Sequence, residues 1–237
     1  MIELHNVDCM EYLATLEDNA FELAIVDPPY GIGADKPSKK PNRAKQKNGK
    51  VLNVKSVEYT HKKWDNQPAD DEYFNELKRV SKNRIIWGVN YYSHNLIGGR
   101  IVWDKVNGNS DQFGCEIAYN SVNKRTDLIR FMWRGMFQGL NISTDILKAN
   151  KQQGNKALNE NRIHPTQKPV KLYEWLLMNY AKEGDRILDT HLGSGSIAIA
   201  CHNLGFDLVG CELDTEYFNA AKKRLEQHQS QLRIPMQ

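Results

Sequence analysis

Residues 186–212 constrain the fold more than any other part of the chain. Arg186-Ile187-Leu188-Asp189 is a short apolar run, and Thr190-His191-Leu192-Gly193-Ser194-Gly195-Ser196 is a glycine-bearing turn. Ile197 to Leu204 reads as a buried helix closed by Gly205, and Leu208-Val209-Gly210-Cys211 is a second strand ending in Glu212. Two strands joined through a helix lie parallel, and a parallel sheet needs helices over both faces. Gly193 and Gly195 allow backbone N–H groups to approach a ligand closely. An acidic residue ending the second strand can accept hydrogen bonds from ribose hydroxyls. The unit therefore predicts a cofactor containing adenosine. Gly-Ser-Gly-Ser-Ile-Ala also fits a degenerate dinucleotide fingerprint, so this half alone leaves a nicotinamide dinucleotide and S-adenosylmethionine both open.

A second apolar run, Leu23-Ala24-Ile25-Val26, ends in Asp27-Pro28-Pro29-Tyr30. It reads as a buried parallel strand, and ligands bind at that end of strands in open α/β sheets. The prolines lack N–H donors and have fixed φ, so the turn is stiff. The exocyclic amine of a nucleobase is a poor nucleophile because its lone pair is delocalised into the ring. The Asp27 carboxylate and the Pro28 carbonyl can each accept one of its N–H bonds and favour the tetrahedral nitrogen that forms on methyl transfer. Tyr30 can stack on a base that has left the duplex. The competing reading is a strand-ending turn with a capping aspartate, and four residues alone do not separate the two.

Between these halves lies His164-Pro165-Thr166-Gln167-Lys168-Pro169, followed by an amphipathic helix from Val170 to Tyr180. Asp-Pro-Pro-Tyr first, His-Pro-Thr-Gln-Lys-Pro next and Asp-x-x-x-Gly-Ser-Gly last is the motif order of the β group of DNA amino-methyltransferases, which the chain resembles from about Asn6 to Leu225. The resemblance implies a circularly permuted, Rossmann-like α/β methyltransferase fold, with a mostly parallel twisted sheet and helices on both faces. It implies S-adenosylmethionine as methyl donor. Aspartate rather than serine at the head of the Pro-Pro-Tyr motif implies adenine N6 more than cytosine N4.

The same resemblance distributes roles. Asp27, Pro28, Pro29 and Tyr30 form the catalytic turn. Gly193, Ser194 and Gly195 lie along the methionine part of the cofactor, and Glu212 holds its ribose. Thr166 and Lys168 help to bind the methionine carboxylate, and Asp8, in Asn6-Val7-Asp8-Cys9, meets the adenine amino group. Cys9, Asp27, Pro169, Asp189, His191, Leu192, Ser196 and Leu213 complete the expected cofactor contacts. One departure stands out: the family usually places proline and phenylalanine after the motif's aspartate, where this chain has Thr190 and His191.

Composition fits this reading. The 237 residues, with a hydrophobic fraction of 40%, suit one methyltransferase domain over residues 1–237 with insertions. Cys9, Cys115, Cys201 and Cys211 have no metal-binding spacing and read as reduced thiols, so no metal is expected. The N-terminus lacks a signal pattern and no apolar run approaches the ~20 residues of a membrane span, which predicts a cytoplasmic protein. The net charge of +3 is a weak argument for nucleic acid, but its distribution is more telling. Residues 31–63 carry Lys36, Lys39, Lys40, Arg43, Lys45, Lys47, Lys50, Lys55, Lys62 and Lys63 against Asp35 and Glu58. We read them as a mobile basic loop over DNA phosphates, with a solvated insertion of no role as the competing reading.

Tyr73 to Ser81 predicts a helix, and Arg84–Trp87, Arg100–Asp104 and Glu116–Tyr119 predict strands that extend the sheet. Trp87 and Trp103, each ending an apolar run, read as core. Asn90, Tyr91 and Tyr92 are candidates for the base pocket. Residues 123–162 interleave cations and aromatics, among them Arg125, Arg130, Phe131, Trp133 and Arg134. This is the expected target-recognition insert. A dimer interface competes for the segment, because Phe131-Met132-Trp133 and Met136-Phe137 are costly to expose. The expected function is N6-adenine methylation of double-stranded DNA with base flipping, and a homodimer is compatible with the resemblance. The alternatives are N4-cytosine or RNA methylation by the same chemistry, a nicotinamide-dependent oxidoreductase, which has no use for Asp-Pro-Pro-Tyr, and a silent DNA-binding relative, which the intact motifs oppose.

Overall fold

The computed structural model describes residues 1–35, 43–45, 49, 51–53, 62–107, 113–134, 137–139 and 159–230. The elements run β1 (Ile2–His5), α1 (Cys9–Leu13), β2 (Phe21–Val26), β3 (Arg43–Lys45), β4 (Val51–Asn53), α2 (Asp71–Val80) and β5 (Ser81–Trp87). Then come β6 (Gly99–Asp104), β7 (Cys115–Asn120), β8 (Thr126–Arg130), β9 (Met132–Arg134) and β10 (Phe137–Gly139). The chain continues with α3 (Val170–Tyr180), β11 (Arg186–Asp189), α4 (Ser196–Leu204), β12 (Asp207–Cys211) and α5 (Thr215–Gln229).

Eight strands form one sheet in the order β1-β12-β11-β2-β5-β7-β6-β8. The pairs from β1 to β5 in that order are parallel, β7 is antiparallel to both neighbours, and β8 is parallel to β6. Alternation along β2 shows why helices must cover both faces. Leu23 and Ile25 point into a core with Leu172 and Leu176 of α3 and Ile197 and Ala200 of α4. Ala24 and Val26 point the other way, into a core with Leu13 of α1 and Tyr73, Phe74, Leu77 and Val80 of α2, which Phe21 at the start of the strand also joins. A strand buried on both sides reads as an unbroken apolar run, as Leu23–Val26 does.

The helix and strands expected between Tyr73 and Tyr119 are present as α2, β5, β6 and β7. Trp87 and Trp103 are buried and meet edge to face at 6.2 Å. The glycine unit is present as β11, α4 and β12, and Gly205 closes α4 in the left-handed region. Residues 126–130 of the expected recognition insert are β8, the edge strand of the central sheet. Ile129 packs inward there, and the Arg130 Nε donates to Asp104 Oδ2 at 2.9 Å. Phe131, Met132 and Trp133 are buried within the chain, with the Trp133 indole donating to the Gln167 carbonyl at 2.8 Å. Those three need no partner to leave water. Within the basic insertion, β3 and β4 form an antiparallel pair.

Candidate active site

The order in which strands are added across the sheet reverses between the parallel neighbours β11 and β2. From β11 the chain passes through α4 to β12 on one side, while β2 has β5 on its other side. A crevice opens at the carboxyl ends of strands at such a switch point. Here it is a cavity of about 750 Å³, walled by Asp8 after β1, Asp27 after β2, Thr190 to Ser194 after β11 and Glu212 after β12. Thr166 and Lys168, before α3, complete the wall.

Asp27 is held from two sides. The Tyr30 hydroxyl donates to Oδ1 at 2.5 Å and the Lys168 ammonium donates to Oδ2 at 2.5 Å. Burial raises the Asp27 carboxyl above its usual range, and Lys168 opposes that shift. Lys168 also reaches Oε2 of Glu116 on β7 at 3.0 Å. The ammonium expected at a methionine carboxylate therefore lies between two protein carboxylates. Burial disfavours its charge, but Asp27 and Glu116 outweigh burial and raise its pKa. The Pro28 carbonyl accepts from the Tyr92 hydroxyl at 2.9 Å. Tyr30 stacks on Tyr91 with ring centroids 4.9 Å apart. Its ring lies where a Cβ on Gly88 would be, 2.2 Å from Cε1, so only glycine fits at that position, which has φ +75°. Both Tyr91 and Tyr92, candidates for the base pocket, thus touch the Asp27–Tyr30 turn.

Asp65 fixes the chain just beyond Tyr30. Its Oδ1 accepts from the N–H groups of Tyr30 (2.7 Å) and Gly31 (2.8 Å), and its Oδ2 from Ala34 (2.7 Å). A buried carboxylate with three backbone donors is a strong anchor. The sequence carried no motif for it, because its partners lie more than thirty residues upstream.

On the cofactor side, Glu212 Oε2 accepts from the Gly193 N–H at 2.8 Å and Oε1 from the Asp214 N–H at 2.9 Å. Gly193 has φ +52° and faces the His164 ring. Asp8 caps α1 by accepting from Met10 N at 2.7 Å, and burial pushes the neighbouring Cys9 thiol up to about 12. Thr190 and His191 make sense together. The Thr190 hydroxyl is 2.7 Å from the Tyr73 hydroxyl and 2.9 Å from His191 Nδ1. The His191 ring packs edge to face on Tyr73, and burial lowers its pKa to about 4. A neutral ring sits where the family has phenylalanine.

Leu192 and Leu213 also face the cavity, whereas Pro28, Tyr30, Pro169, Asp189, Gly195 and Ser196 do not. Asp189 instead accepts from the His191 N–H at 3.0 Å, and burial raises its carboxyl to about 8. Ser196 bonds Ser194 at 3.0 Å, and Gly195 packs against Ala221 of α5. Lining residues that the sequence did not single out include Trp64, Tyr173, Asp214 and Tyr217, and Lys62 of the basic insertion also lines the cavity. Lys62 donates to both Asp214 oxygens at 2.8 Å and pairs with Glu216.

Among the expected DNA contacts, Lys36, Lys39 and Lys40 lie outside the described residues, as do the side chains of Arg43, Lys45 and Arg134. Arg125 is exposed and lies 3.5 Å from Asp127. Arg130 is committed to Asp104. Among the described residues no group of His, Cys, Asp and Glu could hold a metal ion, and no helix is long and apolar enough to cross a membrane.

Sheet order, switch-point cavity and acidic strand ends together define a methyltransferase-type α/β fold. Solved structures agree on the fold. The M1.HpyAVI–SAM complex aligns with TM-score 0.55 at 22% identity, covering 95% of this chain and 100% of that one. PvuII DNA methyltransferase, cytosine-N4-specific, aligns with TM-score 0.51 at 13% identity, covering 94% and 86%. The model of the N6/N4 DNA methylase family matches residues 44–223, and the chain belongs to that family. Type II methyltransferase M.HpaI of Haemophilus parainfluenzae is 27% identical over 92% of this chain and 72% of its own. M.HinfI of Haemophilus influenzae is 24% identical over 93% and 67%. M2.DpnII of Streptococcus pneumoniae is 44% identical over 63 residues, 24% of its length.

Proposed function

We propose that the chain transfers a methyl group from S-adenosylmethionine to the N6 amine of adenine flipped out of duplex DNA. The observation that carries this reading is the placement of Asp27, a carboxylate 17% exposed at the strand end, bordering the same cavity as Glu212.

The cavity fits S-adenosylmethionine better than a dinucleotide. Its volume is ample for a ligand of that size. Its carboxylates, Asp8, Asp27, Glu212, Asp214 and Glu216, outnumber its lysines, Lys62, Lys63 and Lys168, which suits a cationic sulfonium. A pyrophosphate needs free backbone N–H groups at the glycine loop. Here the Gly193 N–H is given to Glu212 and the Gly195 N–H to the Leu192 carbonyl at 2.9 Å. When bound, the sulfonium supplies an electrophilic methyl group. The chain supplies the acceptors: Asp27 and the Pro28 carbonyl keep lone pairs beyond those engaged with Lys168, Tyr30 and Tyr92. Accepting the amine N–H bonds localises the nitrogen lone pair for attack and stabilises the positive charge it acquires. Aspartate at position 27, where N4-cytosine relatives carry serine, favours adenine.

The test is incubation with labelled S-adenosylmethionine and DNA lacking adenine methylation, followed by identification of the modified nucleoside. N6-methyladenine is expected, and Asp27→Asn should lower the single-turnover rate by roughly a hundredfold to a thousandfold with S-adenosylhomocysteine binding retained. N4-methylcytosine as the product, or a folded Asp27→Ala protein with the wild-type rate, overturns the reading.

A further inference from the structure

Four charges lie in a row beneath the catalytic turn. Asp27 is followed by Lys168, whose Nζ lies 2.5 Å from Oδ2. Lys168 is followed by Glu116, with Oε2 at 3.0 Å, and Glu116 by Lys105, which pairs with its other oxygen. Lys105 and Glu116 meet across the β6–β7 ladder, whereas Asp27, after β2, and Lys168, before α3, reach Glu116 from distant stretches of the chain. Lys168 is only 3% exposed in its side chain and lies over the Trp87 ring at 5.3 Å and the Tyr30 ring at 5.7 Å. Apart from the Lys168 ion pair, Glu116 Oε2 has no hydrogen-bond partner and is shut off from water. It acts there as charge rather than as a shaped acceptor.

Charge in such a place must be balanced, because interior charges interact strongly and leaving one uncompensated is costly. Asp27 and Lys168 alone form a neutral pair. A neutral pair offers little to an amine nitrogen that turns positive as it is methylated. We propose that Glu116 is a positioning residue of the methyl-transfer site. It holds Lys168 and neutralises its charge, so that the Asp27 carboxylate acts on the reacting amine with its own negative charge. Lys105 in turn keeps Glu116 ionised, holding its carboxyl low, at about 2, together with Lys168 and against the effect of burial. The other titratable groups facing Asp27 are the phenols of Tyr30, Tyr73, Tyr92 and Tyr173 and the carboxyl of Asp189. None of them is a cation that could replace Lys105 or Lys168 in this balance. The inference rests on the catalytic reading of Asp27.

The test measures single-turnover methyl transfer to DNA at saturating S-adenosylmethionine, with S-adenosylhomocysteine affinity and melting temperature on the same preparations. Glu116→Gln keeps shape but leaves two lysines against one carboxylate. Its rate should fall roughly tenfold to a hundredfold with cofactor-product affinity little changed. Glu116→Asp keeps the negative charge beside Lys168 and should recover most of the missing rate. A purely structural role for Glu116 predicts that the shorter side chain is at least as slow as Glu116→Gln. If Glu116→Gln does not fold, Lys105→Met carries the test. Removing that cation lets the Glu116 carboxyl rise toward its protonated form, so the rate should fall more steeply with decreasing pH than in the wild type, and an unchanged pH profile overturns the inference. So does Glu116→Gln at the wild-type rate, or Glu116→Asp as slow as Glu116→Gln. Asp27→Ala in the same series separates the two claims. If it is fast, the catalytic reading fails. If it is inactive while Glu116→Gln is unaffected, only the role of Glu116 fails.

Discussion

His164 shows how one buried side chain ties acid sensitivity to the cavity wall. Its Nδ1 lies 3.1 Å from the Thr166 hydroxyl and takes the Thr166 N–H at 3.4 Å, so the ring accepts there and carries its proton on Nε2. Tyr217 meets it edge to face at 4.3 Å and Trp64 lies 5.2 Å away. Burial lowers its pKa from 6.5 to about 3, and Lys168 and Lys62 add to the shift. The unfolded chain therefore binds a proton near pH 6.5 that the folded chain refuses. His164 costs nothing above that pH, and its penalty grows as pH falls from 6.5 toward 3. Between pH 7 and pH 5 the loss from this group is about 2 kcal/mol. His164→Gln should flatten the dependence of unfolding free energy on pH by that amount over the interval, measured by urea titration at both pH values. Curves that stay parallel would show that the folded ring takes up its proton over the same pH range as the unfolded one, and would remove the burial penalty. His191, lowered to about 4 by burial, adds its own acid penalty and is unchanged in the comparison.

At the scale of elements, what was legible depended on burial. β2, β11 and β12 are central strands written as apolar runs, and α3 was bounded to the residue by the proline before it and its apolar period. The edges were not legible. β8 lies on the rim, with Leu128 60% exposed, and its arginine, among the interleaved cations and aromatics of residues 123–162, reads as a binding surface rather than a strand. β1 is half-buried along its length and gives no apolar run. α5 carries a periodic signal: Tyr217, Ala221 and Leu225, its buried positions, recur every four residues. That helix matters for the site. Arg224 donates from Nη1 to the Ser194 carbonyl and the Ser196 hydroxyl, both at 2.9 Å, and from Nη2 to Glu160 at 2.7 Å. It ties the glycine loop to the segment that precedes α3. No motif marks this network, because Arg224 and its partners come from three separate stretches of chain. Arg224→Met keeps the aliphatic stem and removes the three donors. It should cost about 1–3 kcal/mol of stability by leaving Glu160 and the Ser194 carbonyl poorly satisfied. S-adenosylhomocysteine should bind more weakly because its loop is no longer fixed. A variant with wild-type calorimetric affinity would confine Arg224 to stability alone.

At the scale of the whole molecule, the catalytic turn and the glycine loop lie more than 150 residues apart and become neighbours only because β11 inserts beside β2. Strand order is long-range information that local pattern does not carry, so the motifs were legible while the ion-pair row joining them was not. The basic insertion leaves the catalytic turn on one side of the cavity, and its last lysines return to the opposite wall. Lys62 is spent there on Asp214 and Glu216, with its ammonium also 4.8 Å from the Tyr217 ring centre. A lysine whose charge is already neutralised releases no counterions on meeting a phosphate, so Lys62 and the lysines nearer the catalytic turn should separate in a salt titration. Replacing Lys36, Lys39 and Lys40 with alanine should weaken binding to duplexes of any sequence. It should also shrink the slope of log K against log salt by about 0.9 for each phosphate that the variant no longer neutralises, and by about 2.7 if each of the three lysines serves one phosphate. Lys62→Ala should leave the slope unchanged and instead weaken S-adenosylhomocysteine binding, because it frees Asp214 and Glu216 beside the cavity. Fluorescence anisotropy with one labelled duplex across a salt series measures both slopes. An unchanged slope for the triple variant would remove the insertion from the DNA interface. A reduced slope for Lys62→Ala would mean that its ion pairs open when DNA binds.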